Sequence, residues 1–154
     1  MMFIDGNNLF YTSQIINIDI DYIKLVHELV RKDQLLRVNF YAGVDDSASS
    51  AGWLYFMRKS GIRMVTKPLQ ILPDGSKKAN CDVEMAVDLV GMASTYDTAI
   101  VLTGDGDFTY ALETVAKQGK QVELVGSKLN TNESLIQAAD RFVDLEGLKG
   151  LIQK

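Results

Sequence analysis

Four aspartates stand where side chains can do chemistry: Asp5, Asp82, Asp105 and Asp107. Asp5 follows the apolar run Met1-Met2-Phe3-Ile4, Asp105 and Asp107 follow the apolar run 98–102, and Asp82 opens an apolar helical stretch at 83–92. In open parallel sheets, ligands bind beyond the carboxyl ends of the strands, near the switch in strand order. Asp5 and Asp105 are expected to converge there if their strands are neighbours. Carboxylates gathered within a few ångströms repel unless a proton or cation neutralises them. No histidine or basic residue lies inside these segments, so a divalent cation is the natural counter-charge. Such an ion polarises phosphoryl oxygens and activates water. Each aspartate taken singly is equally a turn former or cap, Asp107 for a helix from Phe108 and Asp82 for one from Val83. Caps have no reason to gather on one sheet edge, so the set together points to a metal site. Asp88, about 120° around the helix from Asp82, reads as supporting or structural. Asn8 and Thr103 can each bond a carboxylate or a phosphate, or act only as turn residues.

Positioning these groups falls to alternating strand-like and helix-like segments, the pattern of an α/β fold with a mostly parallel sheet. The run 1–4 reads as a buried strand opening into a turn at Asp5-Gly6-Asn7-Asn8. Helical spacing over 22–30, with Asp19 or Asp21 as cap, precedes strands at 35–42 and 62–65, and a helix at 49–59 ends on Gly61. Turn chemistry over 66–80 suggests a short projecting hairpin. Beyond the helix at 83–92, strands at 98–102 and 121–125 flank a helix at 108–118. A short helix at 133–139 and an extended piece at Phe142-Val143 follow. About five strands with helices on both faces are expected, in one domain spanning 1–154.

Composition narrows the chemistry. The 154 residues are 47% hydrophobic and 23% charged, with one cysteine, Cys81, and one histidine, His27. That excludes a disulfide framework and multi-cysteine or two-histidine zinc motifs. A catalytic metal is then held by oxygen, which means Mg2+ or Mn2+. The stretch Met1-Met2-Phe3-Ile4-Asp5 has no basic region and no long apolar run, and no stretch is long enough to span a membrane, so a cytoplasmic protein is expected. The net charge of −4 and pI near 4.9 argue against binding nucleic acid by bulk charge. Lys67, Lys77 and Lys78 around the hairpin, with Arg58, Lys59 and Arg63, either guide a phosphate backbone or form a solvated surface. Trp53, Tyr55 and Phe56 can stack bases, but their helical spacing places them in the core. His27 falls off the apolar stripe and is expected at the surface.

Three segments in order, Phe3-Ile4-Asp5-Gly6-Asn7-Asn8-Leu9, Cys81-Asp82-Val83-Glu84-Met85-Ala86-Val87-Asp88-Leu89 and Leu102-Thr103-Gly104-Asp105-Gly106-Asp107-Phe108, resemble the signatures of NYN domains. Within these, they are similar to the LabA-like branch of the PIN-like nucleases. The resemblance covers nearly the whole chain. It implies a PIN-like (Rossmann-like) three-layer fold, a Mg2+ or Mn2+ site and hydrolysis of RNA phosphodiesters. Asp5, Asp82, Asp105 and Asp107 would be the acidic set, and Asn8, Thr103 and Lys78 would meet substrate. The family often places a lysine three residues before the helix aspartate; here that position is Ala79, with Lys77 and Lys78 upstream. A non-catalytic RNA-binding or regulatory protein is the alternative reading, and a small-ester phosphohydrolase a weaker one, since Asp5 is followed two on by Asn7. A homodimer would let two acidic sites share a basic groove.

Overall fold

Alternation of side chains along the strands decides the layers. The computed structural model describes residues 1–30, 34–75 and 77–154, with Lys77 and Lys78 described by backbone alone. Its strands are β1 Met2–Asp5, β2 Val38–Val44, β3 Ile62–Pro68, β4 Gln70–Ile71, β5 Lys77–Lys78, β6 Thr98–Leu102, β7 Gln121–Gly126 and β8 Arg141–Asp144. Its α-helices are α1 Gly6–Ile15, α2 Tyr22–Val30, α3 Ala48–Lys59, α4 Asp82–Gly91, α5 Thr109–Lys117, α6 Glu133–Ala138 and α7 Lys149–Ile152. Met2, Ile4, Phe40, Ile100 and Leu102 point to one face, where they pack with Leu9, Leu25, Leu29, Met57 and Ile152 from α1, α2, α3 and α7. Phe3, Tyr41, Val101 and Leu124 point to the other, against Met85, Leu89, Leu112, Val115 and Leu135 from α4, α5 and α6. The result is three layers with the sheet in the middle, as period-two strands buried on both faces require.

The main sheet has six strands in the order β3-β2-β1-β6-β7-β8, and each of its pairings is parallel. One strand more joins it than the five expected. The extended piece at Phe142-Val143 pairs with β7 as β8, and four residues are too few to display alternation in a sequence. From β1 the chain winds outward through β2 to β3, then returns beside β1 as β6 and winds the other way. The switch in strand order therefore lies between β1 and β6, where Ile4 pairs with Leu102. The projecting hairpin is β4 paired antiparallel with β5.

Local chemistry explains the element ends. Asp21 Oδ1 accepts the N–H groups of Ile23 at 3.0 Å and Lys24 at 3.1 Å, so it caps α2 rather than Asp19. Gly61 ends α3 at φ 82°, the left-handed conformation that favours glycine. The expected turn at Asp5-Gly6-Asn7-Asn8 is instead the first turn of α1, with Asp5 as its cap. Glycine and asparagine are weak helix formers, so this helix rests on its cap and on burial of Leu9, Thr12 and Ser13. At Gly6 a Cβ would strike the Phe40 ring and the Tyr41 carbonyl oxygen, so the helix can leave β1 at that angle only without a side chain.

Candidate active site

The parallel register between β1 and β6 brings Asp5 and Thr103 out side by side. Asp5 is 8% exposed. One of its carboxylate oxygens accepts the Asn8 N–H at 3.0 Å, and the other accepts the Thr103 hydroxyl at 3.0 Å. It is thus both a helix cap and a member of a polar cluster. The Thr103 hydroxyl oxygen accepts the Asp105 N–H at 3.2 Å, and the Asn8 side-chain carbonyl accepts the Gly104 N–H at 2.8 Å. These bonds stitch the loop after β6 to the first turn of α1. Thr103 is 2% exposed, and its hydroxyl is directed at Asp5. Asp105 accepts the Asp107 N–H at 3.0 Å and caps the short 3-10 turn Gly106–Phe108, a role open to Asp107 in the sequence. Asp107 itself is exposed. Asp82 is the first residue of α4, not its cap; there its charge suits the positive end of the helix dipole. Its N–H donates to the Asn80 side-chain carbonyl at 2.7 Å.

Electrostatics ties these groups together. Burial pushes the Asp5 carboxyl above the usual carboxylate range, and the charges of Asp82 and Asp105 push the same way against the bonds from Asn8 and Thr103. Burial also raises Asp82, with Asp105, Asp107 and Glu84 adding repulsion and the bond to Asn80 opposing. Neighbouring cations are engaged elsewhere. Lys67 pairs with Glu84 at 2.7 Å and donates to the Asn80 carbonyl at 3.0 Å. Arg63 pairs with Asp88 at 2.7 Å and donates to the Asn39 side chain at 3.2 Å. Asp88 also accepts the Tyr41 hydroxyl at 2.8 Å, so its bonds run to β2 and β3. Lys78 pairs through its backbone with Gln70, and its side chain lies outside the described residues.

Among the described residues, no three histidine, cysteine or carboxylate side chains already stand as a ready metal-ligand group. The donor chemistry nonetheless suits Mg2+ or Mn2+. Asp5, Asp82 and Asp105 offer oxygen alone, and a magnesium ion keeps several waters and needs only one or two direct carboxylates. Each carboxylate has about four acceptor positions, so the Asp5 bonds to Asn8 and Thr103 leave room for a cation.

Asp5, Asn8, Asp82 and Asp105 line a cleft of about 770 Å³. Phe10, Tyr11, Tyr22, Phe40, Trp53, Leu69 and Leu72 also line it. The sequence reading missed this aromatic part. Trp53 was expected in the core with Tyr55 and Phe56. It is half-buried edge-on to Phe40, with centroids 5.6 Å apart, while Tyr55 is 65% and Phe56 54% exposed. The cause is that α3 covers the edge of the sheet and fully buries only Met57. Also missed was a polar chain behind the site. The Asn130 amide donates to the Thr12 hydroxyl at 2.9 Å, and Thr12 donates to the Asn8 side-chain carbonyl at 3.4 Å. The Asn130-Thr131-Asn132 run was the one available signal. At Gly104 a Cβ would come within 2.7 Å of the Asn130 carbonyl, which explains why the loop after β6 needs glycine there.

Comparison with known proteins places this architecture. The sequence profile of the NYN domain matches residues 1–146. Over 99% of this chain and 87% of the relative, the sequence is 28% identical to the Low amplitude and bright protein LabA of Synechococcus elongatus. The crystal structure of a protein of unknown function from Vibrio parahaemolyticus superposes with a TM-score of 0.82 at 25% identity, covering 94% of this chain and 90% of that one. A ribokinase from Giardia lamblia shares the fold more distantly, with a TM-score of 0.51 and 14% identity over 82% of this chain and 47% of its own.

Proposed function

The chain belongs to the NYN domain family, a PIN-like nuclease family, and from that premise we propose that it is a metal-dependent ribonuclease hydrolysing RNA phosphodiesters. One observation carries the reading. Carboxylates from three separate segments, Asp5, Asp82 and Asp105, line one cleft beyond the switch in strand order, and the nearby Lys67 is paired to Glu84. Uncompensated charge of this kind is costly to fold and has a use when a cation binds.

Asp5, Asp82 and Asp105 would hold Mg2+ or Mn2+. An ion held there would supply neutralisation of phosphate charge and a water of lowered pKa. Thr103 and the Asn8 backbone hold the Asp5 carboxylate in place from both sides. The Asn8 carbonyl keeps the loop carrying Asp105 against α1. Asp107, exposed beside Asp105, is free of the buried bonds and either completes the acidic set or orients the attacking water. Asp88, tied to Tyr41 and Arg63, fixes α4 against the sheet and so fixes the position of Asp82.

The test is cleavage of single-stranded and structured RNA by the pure protein with Mn2+, Mg2+ or EDTA, beside Asp105→Asn. Metal-dependent cutting lost in the variant supports the reading. A second reading, RNA binding or regulation without turnover, draws on Ala79, which stands in the cleft lining where the family often places a lysine. Tight RNA binding in Mn2+ with no product would favour it. Among the described residues no helix is long and apolar enough to cross a membrane.

A further inference from the structure

Helix α1 buries Leu9 with Thr12 and Ser13 and leaves Phe10 54% and Tyr11 64% exposed. Rings held outward add nothing to the core, and exposed aromatic patches mark binding surfaces. Both rings line the same cleft as Asp5, Asp82 and Asp105. From Asp5 to these positions the helix rises about 7.5–9 Å, a length that one nucleotide bridges from phosphate to base.

Three more rings share the lining. Tyr22 meets Phe40 edge-on at 5.2 Å, and Phe40 meets Trp53 at 5.6 Å, which holds Trp53 in one orientation beside the cleft. Asn7, Asn8 and Asn80 add amides along the lining, groups able to bond a base edge. No lysine or arginine lines the cleft among the described residues, so attraction for the phosphate backbone is weak here. A flat, neutral, aromatic group suits these rings, and a metal-neutralised phosphate suits the aspartates. The volume falls within the roughly 300–1,000 Å³ of clefts that hold small ligands.

We propose that the aromatic lining of the cleft, Phe10, Tyr11 and Trp53, receives one unpaired nucleobase of RNA whose adjoining phosphate meets the aspartates. This rests on the nuclease reading above and adds to it a base-binding subsite on these side chains. The RNA must be single-stranded at the site, because bases inside a duplex cannot stack on side chains. Stacking on an aromatic ring strengthens binding by about tenfold per base and tolerates any base.

Trp53 is the single tryptophan, so its fluorescence reports the pocket. AMP and ribose 5-phosphate, which hold no phosphodiester to cut, would be titrated against the wild type in Mn2+, and a single-stranded oligoadenylate and a blunt RNA duplex against Asp105→Asn, which separates binding from cleavage. The expected result is quenching by AMP and oligoadenylate, each binding about tenfold or more tighter than ribose 5-phosphate or duplex. Phe10→Ala combined with Tyr11→Ala lowers AMP affinity to that of ribose 5-phosphate. Both rings are surface-exposed, so the fold persists. Tyr55→Ala, equally exposed but outside the cleft, leaves affinity unchanged. Equal binding of AMP and ribose 5-phosphate, or no effect of the double variant, overturns the pocket. Binding of AMP without oligoadenylate assigns it to a free nucleotide and overturns the RNA assignment, as does duplex binding as tight as single strand. Base-dependent binding in a wild-type protein that cuts no RNA with any metal would sink the nuclease reading and leave the pocket standing.

Discussion

Two aspartates on one helix meet opposite fates. Asp82 and Asp88 both lie on α4, six residues apart, and both are half-buried. Asp88 accepts bonds from Arg63 and Tyr41, so its charge is matched where it stands. Asp82 faces Asp105 and Asp107, and burial with their repulsion raises its pKa. The difference separates a carboxylate matched by a cation within the fold from one set among other carboxylates, and perturbed groups of the second kind cluster at functional sites.

The strongest way to break this comparison is activity. Asp105→Asn should cut metal-dependent RNA cleavage by roughly 10³-fold, the scale of the several kcal/mol a metal supplies. Asp88→Asn, measured at a temperature where it stays folded, should change it only severalfold. Equal losses would erase the distinction.

Stability sharpens the same contrast. Mn2+ at about a hundredfold excess over its Kd should stabilise the wild type by about 2.7 kcal/mol. That is a rise in Tm of roughly 5–10 °C for a domain of this size, and a calorimetric scan should show it largely lost in Asp5→Asn. Asp88→Ala should cost about 1–3 kcal/mol in urea unfolding, because it orphans the hydroxyl of Tyr41, which is 2% exposed. The exposed Arg63 contributes little of that.

The smallest effect concerns metal-free folding. A carboxyl whose folded pKa is raised contributes stability below its ordinary value near 3.8 and loses it as pH rises through the folded pKa. In EDTA, Asp82→Asn should therefore match the wild type at acid pH. At neutral pH it should exceed it by a few tenths of a kcal/mol. A variant less stable at neutral pH would mean that Asp82 is compensated after all.

The strands and the acidic set were legible because they depend on short-range patterns. Apolar runs ending in Asp-Gly or Gly-Asp-Gly-Asp mark where buried strands reach solvent, and the helix at 22–30 shows its period directly. The first helix was not legible. Gly6-Asn7-Asn8 has turn composition, and only the Asp5 cap with tertiary burial of Leu9 and Thr12 makes it a helix. The exposure of Tyr55 and Phe56 was hidden too, since helical spacing gives a face but not whether a neighbour covers it.

By itself, then, the sequence determined the parallel α/β architecture and placed Asp5, Asp82 and Asp105 at strand and helix ends, because period and chain direction are properties of a few consecutive residues. Tertiary structure alone decided which charges are paired. Arg63 lies 25 residues from Asp88, and Thr103 lies 98 from Asp5. Contacts across such separations are chosen by how the sheet closes, and that choice leaves Asp82 among other carboxylates, pairs Asp88 with Arg63 and opens an aromatic-lined cleft beside Asp82.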